Sequence, residues 1–443
     1  MKRLLLLLSV LIAPLCGAQD SGFKFQDSGF ELKGAMPVFH DKMKAELDFP
    51  LAWERGGIAD FDVWRKVARA KVLELMQNVQ RRPDDWEMEI KDEEQREGYR
   101  ALKIEFNLST WSRVPAYVLV PDGEGRHPAV VLLHDHGAHF LIGKEKMIRP
   151  FGVEQEIADD AEAWSKGYEG QFPGDYLAAH GYVVIAVDAL LWGERSVQNV
   201  DKKGRPRKWT RQEVYDVQQA LAANFLQMGS SWGAFINQDD ILTAEFTASL
   251  PWVDPDRIGS MGWSMGAYRS WMLSALSDVV KASANVCWMN TTDSLMTLTN
   301  NQNRGGSAYS MLIPGLRRWM DYPHVASIAC PKPTLFFNGT QDKLFPVGGV
   351  KDAYATMRQT WESQGAGDRF VGKLFDTPHT CNREMQGEVL EFFDKWLKGE
   401  GSKVKSQRSK VKGERSKVKG EGSKVKGQRS KVKGQRSKVK GQR

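Results

Sequence analysis

The sequence predicts an α/β fold in which helices cover both faces of a mostly parallel central sheet. Short apolar runs alternate with helical patterns through the middle of the chain, which is typical of parallel strands joined by helical crossovers. A second observation is the glycine-rich junction at 262–266, where a strand pattern passes directly into a helix pattern. These patterns occupy residues 86–398, and we expect one large domain there.

The N-terminus has the pattern of an export signal. A basic start at Lys2 and Arg3 precedes a short apolar run at 4–12, and small residues follow it. This order is typical of a signal peptide (residues 1–18) with cleavage after Ala18, and a lipoprotein site at Cys16 is the alternative. No other stretch approaches the ~18 apolar residues of a membrane-spanning helix, so we expect an exported protein, periplasmic or secreted.

Residues 19–85 predict an N-terminal extension of the domain. Its main element is a helix from Asp60 to Gln77, in which Asp60 caps the first turn. One face of that helix is apolar and includes Trp64, Val67 and Val72, so we expect it to pack on the domain.

The strands of the domain fall into two groups. Runs separated by polar turns predict an antiparallel edge at 86–90, 102–106 and 116–120. Apolar runs separated by helical segments predict a parallel sheet from strands at 129–133, 182–187, 258–263, 282–288, 333–338 and 370–375. Two insertions, at 141–174 and 291–328, are expected to shape a substrate site.

The junction at 262–266 carries the strongest chemical signal. Gly262-Trp263-Ser264-Met265-Gly266 fits the G-x-S-x-G nucleophile elbow, in which a serine sits on a sharp turn between a strand and a helix. Residues 253–257 predict a turn before this strand, and a helical pattern begins at 267. The context therefore predicts Ser264 as a nucleophile rather than part of an inert turn.

A serine nucleophile needs a base and a group that orients the base, in the chain order Ser, acid, His. Two histidines follow Ser264, and of these His379 comes directly after the strand at 370–375, whereas His324 precedes a strand. The first carboxylate after the preceding strand is Asp342, which we predict as the acid. Asp376 is the competing carboxylate and is expected to brace the loop of His379.

Attack on a carbonyl also requires N–H donors for the oxyanion. The N–H of Met265 is one candidate, and His136 or its immediate neighbour, in the loop after the strand at 129–133, is the other. The same loop allows a different interpretation, a metal site formed by its histidines and acid, namely His134, Asp135, His136 and His139. We expect the catalytic role, with no metal and no cofactor.

These motifs resemble those of the α/β-hydrolases, in particular the dienelactone-hydrolase-like group and the secreted bacterial acetyl xylan esterase-like proteins, with related polysaccharide methylesterases. The resemblance covers roughly residues 50–398. It rests on the segments 133–137, Asp188 with 192–195, 253–259, 262–266, 339–346 and Pro378-His379. It implies an α/β-hydrolase fold and Ser264, Asp342 and His379 as the catalytic triad.

The resemblance leaves the acyl group open. Better-known acetyl xylan and cephalosporin deacetylases carry Arg-Gly-Gln and Gly-Gly-Ser-Gln-Gly at two of these motifs, whereas this chain has Trp-Gly-Glu-Arg at 192–195 and Gly-Trp-Ser-Met-Gly at 262–266. Indoles can stack on sugar rings, and an arginine can bind a uronate carboxylate. Candidate substrate contacts are therefore Trp192, Arg195, Trp288 and Trp319, although core packing for the tryptophans and a structural ion pair for Arg195 are the alternatives.

The C-terminus from 399 to 443 differs from the rest of the chain. A basic seven-residue repeat runs from Ser402 to Arg443, and its few apolar residues predict disorder. Residues 401–443 hold 17 Lys and Arg against two Glu, so residues 1–400 carry a net charge of −8 although the whole chain is +7. The domain itself is therefore not expected to bind nucleic acid. The tail has two interpretations. It could contact an anionic surface through its charge, or it could be a repeat without function.

Cysteine usage argues against a disulfide framework. Cleavage after Ala18 leaves Cys287, Cys330 and Cys381, an odd and widely spaced set. We expect Cys287 to be a small buried hydrophobic residue.

Together these observations predict a secreted serine hydrolase that cleaves a carboxylic ester, an acetyl or methyl ester on a plant-type polysaccharide. A peptidase of the prolyl-oligopeptidase type and an inactive hydrolase fold that binds glycan are the alternatives.

Overall fold

The computed structural model describes residues 39–77, 80–196, 203, 210–297, 300 and 308–399, and the paired strands at 32–33 and 36–37. The predicted signal peptide at 1–18 and the heptad repeats from Ser402 onward lie outside the described residues. In the described part of the chain, no helix combines the length and apolar character needed to cross a membrane.

A nine-stranded sheet forms the centre of the fold. The strands in chain order are β1 (Leu32–Lys33), β2 (Met36–Pro37), β3 (Glu89–Arg96), β4 (Tyr99–Ser109), β5 (Ser112–Pro121), β6 (His127–Leu133), β7 (Val183–Val187), β8 (Val253–Trp263), β9 (Ala282–Val286), β10 (Thr334–Gly339) and β11 (Phe370–Phe375). β1 and β2 pair only with each other, and the large sheet has the order β11-β10-β9-β8-β6-β7-β5-β4-β3. The strands from β6 to β11 pair in parallel, whereas β3, β4 and β5 form the predicted antiparallel edge.

Helices connect these strands and flank the sheet. They are α1 (Phe39–Ala45), α2 (Phe61–Met76), α3 (Gln155–Ser165), α4 (Pro173–Ala179), α5 (Arg211–Gln227), α6 (Trp232–Ser249), α7 (Met265–Leu276), α8 (Thr292–Leu295), α9 (Tyr322–Ser327), α10 (Val347–Ser363) and α11 (Arg383–Phe393). Single 3₁₀ turns occur at Trp53–Arg55, Lys144–Lys146, Lys166–Tyr168, Gly193–Arg195, Leu316–Arg318 and Gly367–Arg369, and a π-helical turn spans Asp394–Lys398.

Alternation along the parallel strands divides the core between the two faces of the sheet. In β10, Phe336 joins the cluster that contains α7 and α10 residues, whereas Leu335 and Phe337 join the cluster that contains α4 and α11 residues. Successive side chains of a strand point to opposite faces, so an apolar run such as β10 needs cover on both. The structure therefore confirms the predicted α/β-hydrolase architecture, with helices on both faces.

The N-terminal extension packs on the α7 face. Helix α2 begins after Asp60, whose carboxylate accepts a hydrogen bond from the N–H of Val63 (2.8 Å), as the capping prediction requires. Trp64 is buried in the same cluster as α7 residues, and the Arg69 guanidinium donates to the carbonyl of Ala275 (3.0 Å). Val67 of the predicted apolar face is exposed, so the buried stripe is narrower than predicted.

One predicted element is wrong. Residues 253–257 form the first half of β8 rather than a turn, and among them Val253 pairs with His127 of β6. The register shifts between His127 and Ala129, so the polar, proline-containing start of β8 is accommodated by an irregularity in the ladder.

Candidate active site

Ser264 occupies a strained turn at the carboxyl end of β8. Its φ of 55° and ψ of −125° lie outside the regions that non-glycine residues ordinarily adopt, and α7 begins at the next residue. The Ser264 N–H donates to the carbonyl of Val286 in β9 (2.8 Å), which fixes the turn against the neighbouring strand. Ser264 is half-buried, whereas the residues on either side of it are buried.

The glycines of the motif are required by close backbone approaches. A Cβ on Gly262 would lie 2.1 Å from the backbone of Gly266, and a Cβ on Gly266 would lie 1.8 Å from the carbonyl oxygen of Leu133. No side chain can occupy either position without displacing backbone. The sequence pattern thus corresponds to the tight strand–turn–helix geometry that was predicted for it.

His379 and Asp342 meet at the same edge of the sheet. His379 follows β11 and Asp342 follows β10, and the His379 Nδ1 lies 2.6 Å from the Asp342 Oδ2. The Asp342 side chain is fully buried and the His379 side chain is 19% exposed. The second oxygen of Asp342 accepts the N–H of Leu344 (2.9 Å), so the carboxylate is held in place while it orients the imidazole.

Asp376, the competing carboxylate, has other partners. It accepts hydrogen bonds from the Thr340 hydroxyl (2.8 Å) and the Gln341 amide (3.0 Å) at the surface. These two bonds, that of Gln341 first, lower the pKa of Asp376. The carboxylate therefore braces two adjacent loops, as predicted.

The imidazole of His379 packs against the residue that precedes the nucleophile. Its ring centroid is 5.4 Å from that of Trp263, the residue before Ser264, and 5.9 Å from that of Phe345, to which it is nearly parallel. Among the described residues the Ser264 hydroxyl makes no hydrogen bond. A contact between nucleophile and base often shortens only when substrate is bound, so this geometry is compatible with a catalytic pair.

The cysteines near the site are neutral. Cys287 is fully buried just beyond β9, and its thiol contacts the carbonyl oxygen of Thr380 (3.3 Å). Burial, together with the charge of Asp342, raises the pKa of the Cys287 thiol to about 12. Burial likewise raises the pKa of Cys381, so neither thiol is a nucleophile at neutral pH.

The histidine-rich loop after β6 uses its rings for separate structural contacts. His134 contacts the carbonyl of Asp135 through Nδ1 (2.8 Å) and accepts the N–H of Ala189 at Nε2 (2.9 Å), and burial lowers its pKa well below the ordinary value. His136 accepts the N–H of Ala138 at Nδ1 (3.0 Å), and His139 pairs with Asp160. The ring nitrogens of these histidines do not come together around a common point, so the geometry does not support the alternative metal site in this loop.

Two other groups of potential ligands come together in the described part of the chain. One is Cys287, Asp342 and His379, which belongs to the site above. The other is Glu145, Asp188 and Glu194, and there the buried ammonium of Lys144 contacts all three carboxylates, at 2.7, 2.9 and 2.6 Å. A lysine thus already supplies the cation at that cluster.

Comparison with known proteins connects this geometry with a family. A family model described as "Abhydrolase family" matches residues 31–364, an interval that includes Ser264 and Asp342 and ends before His379. The chain belongs to the Abhydrolase family. The fold and the serine elbow both agree with this membership.

This Abhydrolase-family protein is similar to a hydrolase in sequence and to several esterases in structure. The chain is 27% identical to "Putative hydrolase YtaP" of Bacillus subtilis (strain 168) over 305 residues. This aligned region covers 69% of the chain and 90% of that protein. Among solved structures, the chain is similar to a putative acetyl xylan esterase from Bacteroides fragilis NCTC 9343 (TM-score 0.57, 20% identity, 75% of this chain and 80% of that one). It is also similar to Methylesterase BT1017 (TM-score 0.54, 16% identity, 80% and 68%) and to a glucuronoyl esterase from Solibacter usitatus (TM-score 0.51, 13% identity, 74% and 91%). At these identities the structures establish the shared fold.

The structure corrects the predicted substrate contacts of two tryptophans. Trp192 is 0% exposed, stacks on Trp232, and donates its indole N–H to the carbonyl of His136 (3.2 Å). Trp288 is 1% exposed and packs among Tyr268 and other aromatic rings of the α7 face. Neither indole has a free face for a sugar, because packing within the protein already covers both.

The other two predicted contacts also have structural partners. Arg195 is almost buried and donates to the carbonyl of Asp188 (3.0 Å) and to Asp239 (2.8 Å), which is the structural role given as its alternative. Trp319 is half-buried and packs against the N-terminal extension, where the Lys71 ammonium lies 4.5 Å from its ring centroid. Arg195 therefore has the structural role, and the ring of Trp319 has a partner on helix α2.

Proposed function

We propose that this chain is a serine hydrolase that cleaves a carboxylic ester, with Ser264 as nucleophile, His379 as general base and then acid, and Asp342 as the orienting carboxylate. The observation that carries the proposal is the 2.6 Å pair of His379 and Asp342, which lies at the carboxyl edge of the sheet beside the strained turn of Ser264. These are the parts that acyl transfer by a serine requires.

Each of these groups has a defined role in the proposed reaction. The Ser264 oxygen attacks the ester carbonyl while the His379 Nε2 takes its proton, and the tetrahedral intermediate places negative charge on the former carbonyl oxygen. Collapse of the intermediate breaks the bond to the alcohol, which leaves with the proton from His379. Water then attacks the acyl-enzyme by the same route and releases the carboxylic acid and Ser264.

The oxyanion would be bound by N–H groups at the start of α7 and in the loop after β6. Met265 is the first residue of α7, and its N–H has no acceptor within the helix, as is usual for the first helical turn. The Gly137 N–H likewise has no acceptor among the described residues. This supports Gly137, the immediate neighbour of His136, as the second donor.

We further propose that the ester is carried on a polysaccharide, as an acetyl group or as the methyl ester of a uronic acid. The solved structures with this fold include proteins named as an acetyl xylan esterase, a methylesterase and a glucuronoyl esterase. The export pattern at 1–18 agrees with a substrate outside the cell.

The test is product analysis with three substrates. The enzyme and its Ser264→Ala variant are incubated with acetylated xylan, methyl-esterified pectin and a proline-containing peptide, and acetate, methanol and free amine are measured. Ser264-dependent acetate supports a deacetylase, and Ser264-dependent methanol supports a methylesterase. Release of amine alone would replace the proposal with a peptidase, and glycan binding without any product would identify an inactive hydrolase fold.

A further inference from the structure

A buried lysine lies beneath the loop that follows β6. Lys146 ends the 3₁₀ turn Lys144–Lys146, and its side chain has no exposed surface. Its ammonium donates to the carbonyl oxygens of two consecutive residues, Asp135 (3.0 Å) and His136 (3.1 Å). A buried ammonium that bonds two adjacent carbonyls determines how both peptide planes are turned.

The orientation of these carbonyls determines where the following N–H groups point. The peptide bonds at 135–136 and 136–137 are trans, and in a trans peptide the N–H points opposite to the C=O. The N–H groups of His136 and Gly137 therefore face away from Lys146. The elbow contacts the beginning of the same loop, because the Cα of Gly266 lies directly against the Leu133 carbonyl.

We propose that Lys146 is a positioning residue for the oxyanion site: by holding the Asp135 and His136 carbonyls, it directs the Gly137 N–H toward the oxyanion that forms at Ser264. This inference rests on the proposed function. It assigns a catalytic consequence to the insertion at 141–174, because that insertion supplies Lys146.

Other contacts hold the loop in the same orientation. The Trp192 indole donates a second hydrogen bond to the His136 carbonyl (3.2 Å). Gly137 has a φ of 59°, and a Cβ there would lie 2.4 Å from the ring of Trp164 and 2.7 Å from the Asp135 carboxylate. Glycine at 137 thus allows the indole of Trp164 to close over the lysine, whose ammonium is 4.9 Å from the ring centroid.

The charges around Lys146 favour its ammonium form against the cost of burial. Burial, as the largest effect, lowers the pKa of Lys146, and the carboxylates of Asp135, Asp188 and Glu145 oppose that shift. The nearest of them is the carboxylate of Asp135, 3.6 Å from the ammonium. This carboxylate also accepts a hydrogen bond from the indole N–H of Trp164 (3.1 Å). His134 also faces this cluster, and burial keeps its imidazole neutral.

The chain offers a matched control for replacing this lysine. Lys332 is partly buried, and its side-chain nitrogen also donates to two backbone carbonyls, those of Ser274 (2.8 Å) and Ser277 (2.6 Å). Burial lowers the pKa of Lys332 to about 7. These carbonyls lie at the end of α7 remote from Ser264. Lys332→Met therefore removes the same chemical group without affecting the oxyanion loop.

The experiment compares Lys146→Met, Lys146→Gln and Lys332→Met with the wild type. Steady-state hydrolysis of p-nitrophenyl acetate gives kcat and KM, and a trifluoromethyl ketone, whose adduct with a serine carries an oxyanion, gives an inhibition constant. Loss of a single oxyanion donor costs about 10²–10³ in kcat, so for a misplaced donor we expect a fall of about 10–10² in Lys146→Met. The inhibition constant should rise by a similar factor while KM changes less than about threefold.

Lys146→Gln can still donate to one carbonyl and should recover part of kcat, and it serves as the test variant if Lys146→Met does not fold. Lys332→Met should change kcat and the inhibition constant less than about twofold. Unchanged kcat and inhibitor affinity in folded Lys146 variants would overturn the proposal, as would equal losses in Lys332→Met.

A second measurement does not depend on turnover. Hydrogen exchange of the amides at 134–138 should accelerate in the Lys146 variants and not in Lys332→Met. Absence of Ser264-dependent hydrolysis in the wild type would overturn the proposed function, whereas unchanged exchange at 134–138 would overturn the positioning role of Lys146 whether or not the enzyme is active.

Discussion

Replacement of Asp342 by asparagine tests how the imidazole of His379 is oriented. The Asp342 Oδ2 lies 2.6 Å from His379 Nδ1. A carboxylate at Nδ1 favours the neutral tautomer that carries its proton there, which leaves Nε2 as the acceptor. An asparagine fits the same space, but its NH₂ group can face Nδ1, and the imidazole then adopts the other tautomer. The base would carry its proton on Nε2, where it cannot accept the proton of Ser264.

The expected loss follows from that change of tautomer. The equivalent change in serine hydrolases lowers kcat about 10⁴-fold, which corresponds to roughly 5.4 kcal/mol of transition-state stabilisation. The Asp342 side chain is completely buried, so solvent cannot substitute for it. We expect KM to change little, because Asp342 does not contact the substrate in the proposed mechanism.

The assay is hydrolysis of p-nitrophenyl acetate, and Asp376→Asn is the matched control. Asp376 lies on the loop of His379, but its partners are Thr340 and Gln341. We expect Asp376→Asn to retain kcat within about threefold, since bonds at an exposed site contribute little. A mild effect of Asp342→Asn together with a large effect of Asp376→Asn would refute the assignment of the acid.

Three further predictions concern the elbow, the buried lysine and the tail. Gly266→Ala should abolish most esterase activity and lower the free energy of unfolding by about 1–3 kcal/mol, because its Cβ would lie 1.8 Å from the Leu133 carbonyl oxygen. Gly387→Ala is the control, since a Cβ at this position in α11 meets open space. It should raise the free energy of unfolding by about 0.5–1 kcal/mol in the same melting experiment. Burial lowers the pKa of Lys146, so its ammonium loses a proton at a pH below the ordinary lysine pKa of about 10.4. The kcat of the wild type should therefore fall as the pH rises through the lowered pKa of Lys146. A Lys146→Met profile that keeps this alkaline decline would contradict the role of the charge. Deletion of 401–443 should leave kcat and Tm unchanged, since a charged repeat with few apolar residues buries little, and a Tm drop of several degrees would disprove this.

The positions of the parallel strands and the pairing of His379 with Asp342 could be predicted because each depends on local sequence. Apolar runs with the length of strands identify the parallel sheet, and loops at the carboxyl ends of such strands share one edge. Asp342 and His379 each follow directly after such a strand, so their proximity follows from the topology. The strain at Ser264 is likewise encoded locally, by the two glycines that flank it.

Features that depend on long-range packing could not be predicted in this way. Asp254 and Pro255 have the composition of a turn, yet they lie within β8, in the irregular part between the pairs His127–Val253 and Ala129–Ile258. An indole suits a sugar platform and a core equally well, so only the packing of α7 and its neighbours shows that Trp288 is buried. Lys146 has no local signal at all, because its position under the oxyanion loop depends on how the insertion at 141–174 folds back beneath β6.

The most direct test of the central claim is the rate of p-nitrophenyl acetate hydrolysis by Ser264→Ala relative to the wild type. Removal of the nucleophile from a serine triad typically lowers kcat by about 10⁴–10⁶, so the variant should retain only a trace of the activity while its circular dichroism spectrum and Tm stay close to those of the wild type. Equal rates for the two proteins would contradict the assignment of Ser264 and the ester-hydrolase mechanism built on it.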